Sequence, residues 1–478
     1  MAQTPIIHVA PNTATKEDLR RVFDQQRAHA PTVAHSSAKE RKAKLRKLIR
    51  YIKSHEEEIT SALQKDFHKH PFETIITELV LTVQEAKHTI RNLSKWMRPH
   101  RVGTPIVLLG SSGYVQYQPK GNVLIMAPWN YPFNLVVGPL ISAIAAGNVV
   151  IVKPSEMTPS VSAVIKKMVE ELFDENEVAV FEGNHEIAQG LLELPFNHIF
   201  FTGSPGVGKI VMAAAAKHLA SVTLELGGKS PAVIDETAPI KSTAEKIAWG
   251  KCINNGQTCI APDYVLVHES KQEAFIKEFG KAVHAMYGED IKSSESYCRI
   301  VNARHFQRIN ELIQDAIEKG ANIALGGKTD PSEDFIEPTI LTDLTAEMSI
   351  MEEEIFGPVL PVIAWSNMDD MLKIINSRPK PLALYILSKS KKNIDYILYN
   401  TRSGDVTVND TMLHFSHPDL PFGGANISGI GKSGGHSGFK AFSHERSVLR
   451  QVFGTLKPLY PPYKPIVGKI ARFLKKIV

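Results

Sequence analysis

The sequence predicts an α/β protein built on parallel sheets covered by helices on both faces. Short, mainly apolar runs recur: Val123-Leu124-Ile125-Met126, Val149-Val150-Ile151-Val152, Ile199-Phe200-Phe201 and Val222-Thr223-Leu224. Helix-like segments at 135–146, 159–173 and 207–219 alternate with them. Strands buried on both faces lose the polar alternation of a half-exposed strand, and strand–helix alternation marks a doubly covered parallel sheet. Each run also ends in polar or chemically capable residues: Ala127-Pro128-Trp129-Asn130, Lys153-Pro154-Ser155-Glu156, Thr202-Gly203-Ser204, and Glu225. Ligands of such sheets bind beyond the carboxyl ends of the strands, so these four ends are expected to meet at one site.

The flanking elements follow from the same patterns. Residues 14–99 read as helical, with Ser37 placed to cap a helix carrying Leu45, Leu48, Ile49 and Ile52 at three-and-four spacing, and a second amphipathic stretch from Ile75 to Trp96. Residues 105–117 read as two short strands joined by a Gly/Ser turn around Ser111-Ser112-Gly113. A second alternating region spans about 230 to 420, with strand-like Ala232-Val233-Ile234, Val265-Leu266-Val267 and Val406-Thr407-Val408 and helices at 240–254 and 303–319. A chain of 478 residues, 43% apolar and 22% charged, has the length for two or three domains and the composition of an ordinary soluble protein.

Composition narrows the function classes. Three cysteines (Cys252, Cys259, Cys298) make no disulfide framework, which favours a reducing, cytoplasmic compartment. No C-x-x-C or H-E-x-x-H spacing suggests a metal, no basic region followed by an apolar run opens the chain, and no apolar run is long enough to span a membrane. The formal charge of +5 lies in the last fifteen residues, where Lys464, Lys469, Arg472, Lys475 and Lys476 stand without an acid. The body is neutral, so nucleic acid is not an expected partner. In that tail Ile466, Val467, Ile470, Phe473, Leu474, Ile477 and Val478 share one helical face, largely opposite the cations. Two readings stay open: a helix on an anionic membrane surface, or one packed on the body or on a partner subunit.

The motifs also carry paired readings. Gly203-Ser204-Pro205-Gly206-Val207-Gly208-Lys209 follows a strand and opens a helix, but Ile210 stands where a P-loop needs a hydroxyl for magnesium, so a nucleotide kinase is excluded. The turn either receives a phosphate at the helix N-terminus or only links strand to helix. Lys153 and Glu156 form either a surface turn or a ribose grip, and Asn130 is either a turn residue or an oxyanion donor. Cys259, in Gly256-Gln257-Thr258-Cys259-Ile260-Ala261-Pro262, is either a structural thiol or a nucleophile. The apolar flanks of Glu225 point to desolvation, which raises a carboxyl toward the range of a general base.

Leu224-Glu225-Leu226-Gly227-Gly228-Lys229-Ser230 and Gly256-Gln257-Thr258-Cys259-Ile260-Ala261 resemble the glutamate and cysteine signatures of the aldehyde dehydrogenase superfamily. Ala127 to Pro132, Lys153 to Glu156, Phe201 to Ser204, Glu354-Ile355-Phe356-Gly357-Pro358 and Pro421-Phe422-Gly423-Gly424 match in the same order, so the resemblance covers roughly residues 40 to 455. Ala261-Pro262-Asp263-Tyr264 and Phe442-Ser443-His444-Glu445-Arg446 look most like the class three branch, which acts on fatty and aromatic aldehydes.

The resemblance implies the rest. Cys259 attacks the aldehyde, Asn130 and the Cys259 N–H hold the oxyanion, a hydride passes to NAD (NADP being allowed), and Glu225 activates the water that frees the acid. Cofactor contacts fall to Trp129, Lys153, Glu156, Thr202, Gly203, Ser204, Gly208, Leu226, Glu354 and Phe356. The implied fold is a Rossmann-like cofactor domain (1–104 and 120–225), an α/β catalytic domain (226–431), a small β oligomerisation element (105–119 and 432–455) serving a homodimer, and the tail, 456–478. Medium- or long-chain aliphatic aldehydes are the expected substrates, with aromatic ones allowed. The rivals are a CoA-acylating relative, which Glu225 argues against, and a non-catalytic binding protein on this fold. Cys252, seven residues before Cys259, departs from the family's usual aromatic or aliphatic residue and is expected to pack, the other reading being a redox partner for Cys259.

Overall fold

The computed structural model describes residues 14–454 and 460–477. Its first sheet has five parallel strands in the spatial order Ser221–Glu225, His198–Thr202, Asn122–Met126, Val149–Lys153, Val178–Val180, and Gly429–Ile430 adds an antiparallel edge beside Ser221–Glu225. Side chains alternate across it as the strand period of two requires. Val123 and Ile125 enter a core with Leu45, Leu48 and Ile141, whereas Leu124 and Met126 enter another with Leu19, Val22 and Phe23. Both faces are thus covered, as the apolar runs predicted.

The second sheet has seven strands in the order Asn322–Leu325, Thr339–Thr342, Val359–Trp365, Tyr264–His268, Pro231–Ile234, Ala383–Leu387, Asp405–Val408, all parallel except the first. Ala232 and Ile234 face one core and Val233 the other. The helices expected at 135–146, 159–173, 240–254 and 303–319 are Asn134–Ala146, Pro159–Leu172, Ile240–Cys252 and Ala303–Glu318. Ser37 caps Ala38–Ser54 in a reciprocal arrangement with Glu40: the serine accepts the Glu40 N–H, and the carboxylate accepts the Ser37 N–H at 2.7 Å.

One local expectation fails. Residues 105–117 are not two strands about a Gly/Ser turn. Ile106–Leu108 is a 3-10 turn, the chain reverses at Gly110 (φ 97°), and Ser111–Pro119 is one continuous strand. Nine-residue antiparallel pairing with Ser443–Gln451, and pairing with His100–Val102 on its other edge, hold Ser111-Ser112-Gly113 extended; tertiary pairing overrides local turn preference. The tail forms the helix Pro465–Ile477, with Ile466 and Phe473 58% and 63% exposed, so these two do not pack on the body. Val478 and residues 455–459 lie outside the described residues. Among the described residues no helix is long and apolar enough to cross a membrane.

Candidate active site

The carboxyl ends of the first sheet face the loop that follows Ile240–Cys252. That loop is set by its backbone. Asn254 and Asn255 take left-handed conformations (φ 50° and 56°), which asparagine tolerates better than most residues. Gly256 (φ 71°) lies so close to the Gly357 carbonyl that a Cβ would collide with it. The chain then turns at Cys259, closed by the Ala261 N–H donating to Thr258 O at 2.9 Å.

Cys259 and Glu225 line one cavity of about 350 Å³, within the range of small-molecule sites. Its wall is largely apolar, with Leu135, Trp249, Ile260, Met412, Phe415 and Phe422, and it also takes in Thr202 and Leu226. Glu225 ends the strand Ser221–Glu225 and is 5% exposed. Ser433 Oγ donates to its Oε1 at 2.7 Å, while Oε2 is buried with no hydrogen-bond partner among the described residues. Burial raises this carboxyl to about 8, against the opposing effects of Ser433 and Lys432. Burial also raises the Cys259 thiol to about 12, with the carboxylates of Glu354 and then Glu225 adding to it, although its own N–H and that of Ile260 favour the thiolate.

Asn130 is buried beside this turn. Its Nδ2 donates to Gln257 O at 3.0 Å, and its carbonyl accepts from Asn254 Nδ2 at 2.9 Å. An amide has two N–H donors, so one remains for a ligand. Tyr131 OH and Thr258 Oγ1 share a hydrogen bond of 2.7 Å.

The expected cofactor residues stand outside the lining of this cavity, apart from Thr202 and Leu226. Lys153 Nζ meets Glu156 Oε2 at 2.5 Å beyond the strand Val149–Lys153. Ser204 caps Pro205–Ala216, accepting the Val207 N–H at 3.4 Å. A Cβ on Gly203 would fall 2.5 Å from the Phe201 ring, and one on Gly208 2.9 Å from the end of the Leu226 side chain, so either would have to push a neighbour aside. The half-buried Glu354 lies over Gly227, where a Cβ would collide with its carboxylate; burial and then Asp263 raise its carboxyl to about 8. Phe356 (φ 51°) meets the Trp129 ring edge-on at 5.4 Å. A helix N-terminus capped by Ser204, a lysine–carboxylate pair at the end of a strand two places along the sheet and glycines where the backbone closes form a set suited to a dinucleotide's phosphates and ribose.

Several contributors carried no sequence signal of their own. Lys229 and Asp263 pair at 2.5 Å; the lysine also donates to Ile350 O (2.7 Å) and Glu353 O (2.8 Å), and Asp263 accepts the Ile355 N–H at 3.0 Å, which fixes the loop carrying Glu354. Both residues lie inside recognised motifs, but only the fold shows them facing each other. Ser433 is 208 positions from Glu225. Cys252 is buried in a core against the second sheet, its thiol raised to about 12 by burial, which fits packing.

A family model described as "Aldehyde dehydrogenase family" matches residues 2–448. The 4,4'-diaponeurosporen-aldehyde dehydrogenase of Staphylococcus aureus is 44% identical over 91% of this chain and 94% of its own. Aldehyde dehydrogenase family 3 member A2 of Macaca fascicularis is 43% identical over 87% and 86%. A substrate-bound Staphylococcus aureus AldH structure superposes with a TM-score of 0.91 at 42% identity, covering 95% of this chain and 99% of that one.

Proposed function

The chain belongs to the aldehyde dehydrogenase family, enzymes that oxidise aldehydes with NAD or NADP, and from that premise we propose that Cys259 is its nucleophile and Glu225 its general base. The single observation that carries this reading is one apolar cavity holding a cysteine thiol and a carboxyl whose second oxygen has no partner. Cys259 Sγ bonds to the aldehyde carbon, and its proton leaves to Glu225 or to solvent. The developing oxyanion takes the spare Asn130 N–H and the Cys259 N–H. NAD or NADP, when bound, would supply the hydride acceptor, and Lys153, Glu156, Ser204 and Glu354, with Trp129, Thr202, Leu226 and Phe356, would hold it. Loss of hydride leaves an acyl thioester on Cys259. Glu225, as carboxylate, takes a proton from water; the resulting hydroxide adds to the acyl carbon, the thiolate leaves, and the free acid departs.

The apolar wall supports medium- or long-chain aliphatic aldehydes, with aromatic ones also fitting its phenylalanines. Glu156 supports NAD, because a carboxylate pairs with a free 2′-hydroxyl and repels a 2′-phosphate. The two sheets and the three-stranded element support the division into units, with His100–Val102 joining the three-stranded element and Gly429–Ile430 the first sheet across the bounds at 104 and 431. That element presents Leu449 and, just beyond it, Val452 and Phe453 to solvent, which supports a homodimer formed there. The exposed Ile466 and Phe473 and the five cations of the tail sequence support peripheral contact with anionic membrane in an otherwise cytoplasmic enzyme. Removing 464–478 is then expected to weaken binding to anionic liposomes without changing activity on a soluble aldehyde. The central test is Cys259→Ser assayed on aldehydes of two to sixteen carbons with each cofactor, with and without CoA. The wild type is expected to give free acid in both cases and the variant to lose roughly three orders of magnitude or more, as loss of a covalent nucleophile does. A fully active variant refutes the reading.

A further inference from the structure

The helix that begins at Pro71 is interrupted by a π turn, Ile75–Leu79, in which the Val80 N–H donates to the carbonyl of Ile75, five residues back. Such insertions concentrate at functional sites. On a regular α-helix Glu73 and Glu78, five residues apart, would diverge, since neighbours along one face are three or four apart. The inserted residue brings both carboxylates round to the catalytic loops.

Each carboxylate then holds one loop. Glu73 Oε1 accepts the Asn254 N–H at 2.9 Å, in the left-handed turn before Cys259, with Cys298 Sγ at 3.7 Å. Glu78 Oε2 accepts the N–H groups of Phe133 (3.1 Å) and Asn134 (2.9 Å), where the Asn130 loop enters its helix. Lys69 Nζ donates to Glu78 Oε1 at 3.2 Å and lies 4.1 Å from the Tyr131 ring centre. Asn254 joins the two halves, its Nδ2 donating to Asn130 O at 2.9 Å and to Gln257 O at 3.1 Å. Lys69, Glu78 and Asn254 are all 0% exposed. A buried ion pair adds little net stability over an apolar pair of the same volume; what this one does is fix where two loops lie.

We propose that Glu73, on the helical turn that leads into the π turn, is a positioning residue for aldehyde oxidation: through Asn254 it sets the Asn130 amide against the Cys259 turn. The inference rests on the reading of Cys259 and Asn130 given above. It concerns charge that appears only in the transition state, so its signature lies in kcat and not in KM.

The experiment compares Glu73→Ala, Glu73→Asp and Glu73→Gln with the wild type in steady-state kinetics and thermal unfolding. Alanine removes the acceptor and aspartate withdraws it by one methylene. Each is expected to lower kcat by about ten- to a hundredfold, the scale of a small misplacement at a reacting centre, with both KM values within about threefold. Glutamine keeps an acceptor oxygen for the Asn254 N–H and is expected to restore kcat to within about threefold of the wild type. Glu73→Asp decides the matter if the alanine variant does not fold. The proposal is overturned if a folded Ala or Asp variant keeps kcat within twofold of the wild type, if KM rises as far as kcat falls, or if glutamine gives no rescue. Cys259→Ser runs alongside: its full activity removes the underlying mechanism, whereas its inactivity beside an active Glu73→Ala removes only the positioning role.

Discussion

The two ends of the first sheet are built from similar polar residues and treat them in opposite ways. Around Asn122 and His198 at the amino end the side chains satisfy one another and the backbone. Asn148 Oδ1 accepts the Gly121 N–H at 2.9 Å, and its Nδ2 donates to Ala143 O and Phe442 O. Asn197 Oδ1 accepts the Asn122 N–H at 2.9 Å, and Lys120 Nζ and Ser221 Oγ meet His198 Nδ1 at 3.2 and 2.9 Å. At the carboxyl end, among the described residues, Glu225 Oε2 is left without a partner, Asn130 keeps a spare N–H, and the Cys259 thiol is pushed far from ionisation. Buried polar groups are ordinarily paired. Gln26 Oε1 and Asn176 Oδ1 are also unpartnered at the amino end among the described residues, but only at the carboxyl end do an unpartnered carboxylate and a cysteine thiol line one cavity, which marks it as the place where a ligand completes the structure.

The contrast breaks most visibly at Glu225. Replacing it with glutamine keeps the shape and removes the base. The turnover rate is expected to fall by about 10²–10⁴-fold, the range of a general base, while a burst of one reduced cofactor per site survives and acyl enzyme accumulates, as pre-steady-state absorbance would show. Only the carboxylate accepts a proton from water, so wild-type kcat should decline as pH falls through about 8, and the variant should lack that limb. Stability runs the opposite way. The folded carboxyl at about 8 holds its proton where the unfolded one, near 4.5, does not. Its relative stability is whole below 4.5 and is lost as pH rises through about 8. The glutamine variant should therefore melt above the wild type at pH 9 and close to it at pH 4.5.

Ser433 tests the same end more gently. Its hydroxyl stabilises the Glu225 carboxylate at 2.7 Å and so opposes burial. Ser433→Ala should move the acid limb of kcat upward by about one pH unit, a rate loss of roughly tenfold at pH 7 that closes at high pH. A loss of equal size at every pH would mean that the serine acts on something other than the base.

What could be read from the chain divides along the same line. Four strands of the first sheet were legible because both their faces are buried, which makes them continuous apolar words; Val178–Val180 and the edge Gly429–Ile430 are too short to stand out as such. Cys259, Glu225 and Asn130 were legible as polar residues at the ends of such words or beside a glycine turn. The strand Val359–Trp365 was not among the runs identified; Pro361 interrupts it, and proline argues against an interior strand. The partners that finish the site were hidden for another reason. Ser433 lies 208 positions from Glu225 and Glu73 lies 181 from Asn254, and neither sits in a local pattern that demands it. Their roles exist only once the fold has closed.

The smallest effect belongs at the amino end, and it makes the comparison fair. Burial lowers the Lys120 ammonium to about 8, and burial with the Lys120 charge holds His198 well below its ordinary range, so this cluster too contains perturbed groups. A perturbed pKa alone would nominate it as a site. The geometry says otherwise, because Lys120 Nζ, His198 and Ser221 already bond to one another. Lys120→Met keeps an unbranched side chain of similar reach, and kcat and KM should stay within about twofold of the wild type at every pH assayed. The effect should appear in stability alone. Between about 8 and 10.5 the folded lysine has lost a proton that the unfolded one keeps, so wild-type stability rises with pH across that window. The difference in Tm between wild type and variant should accordingly move in the wild type's favour from pH 7 to pH 10. A kcat that drops with Lys120→Met as it does with Ser433→Ala would mean that both ends of the sheet serve the reaction, and the contrast drawn between them would be lost.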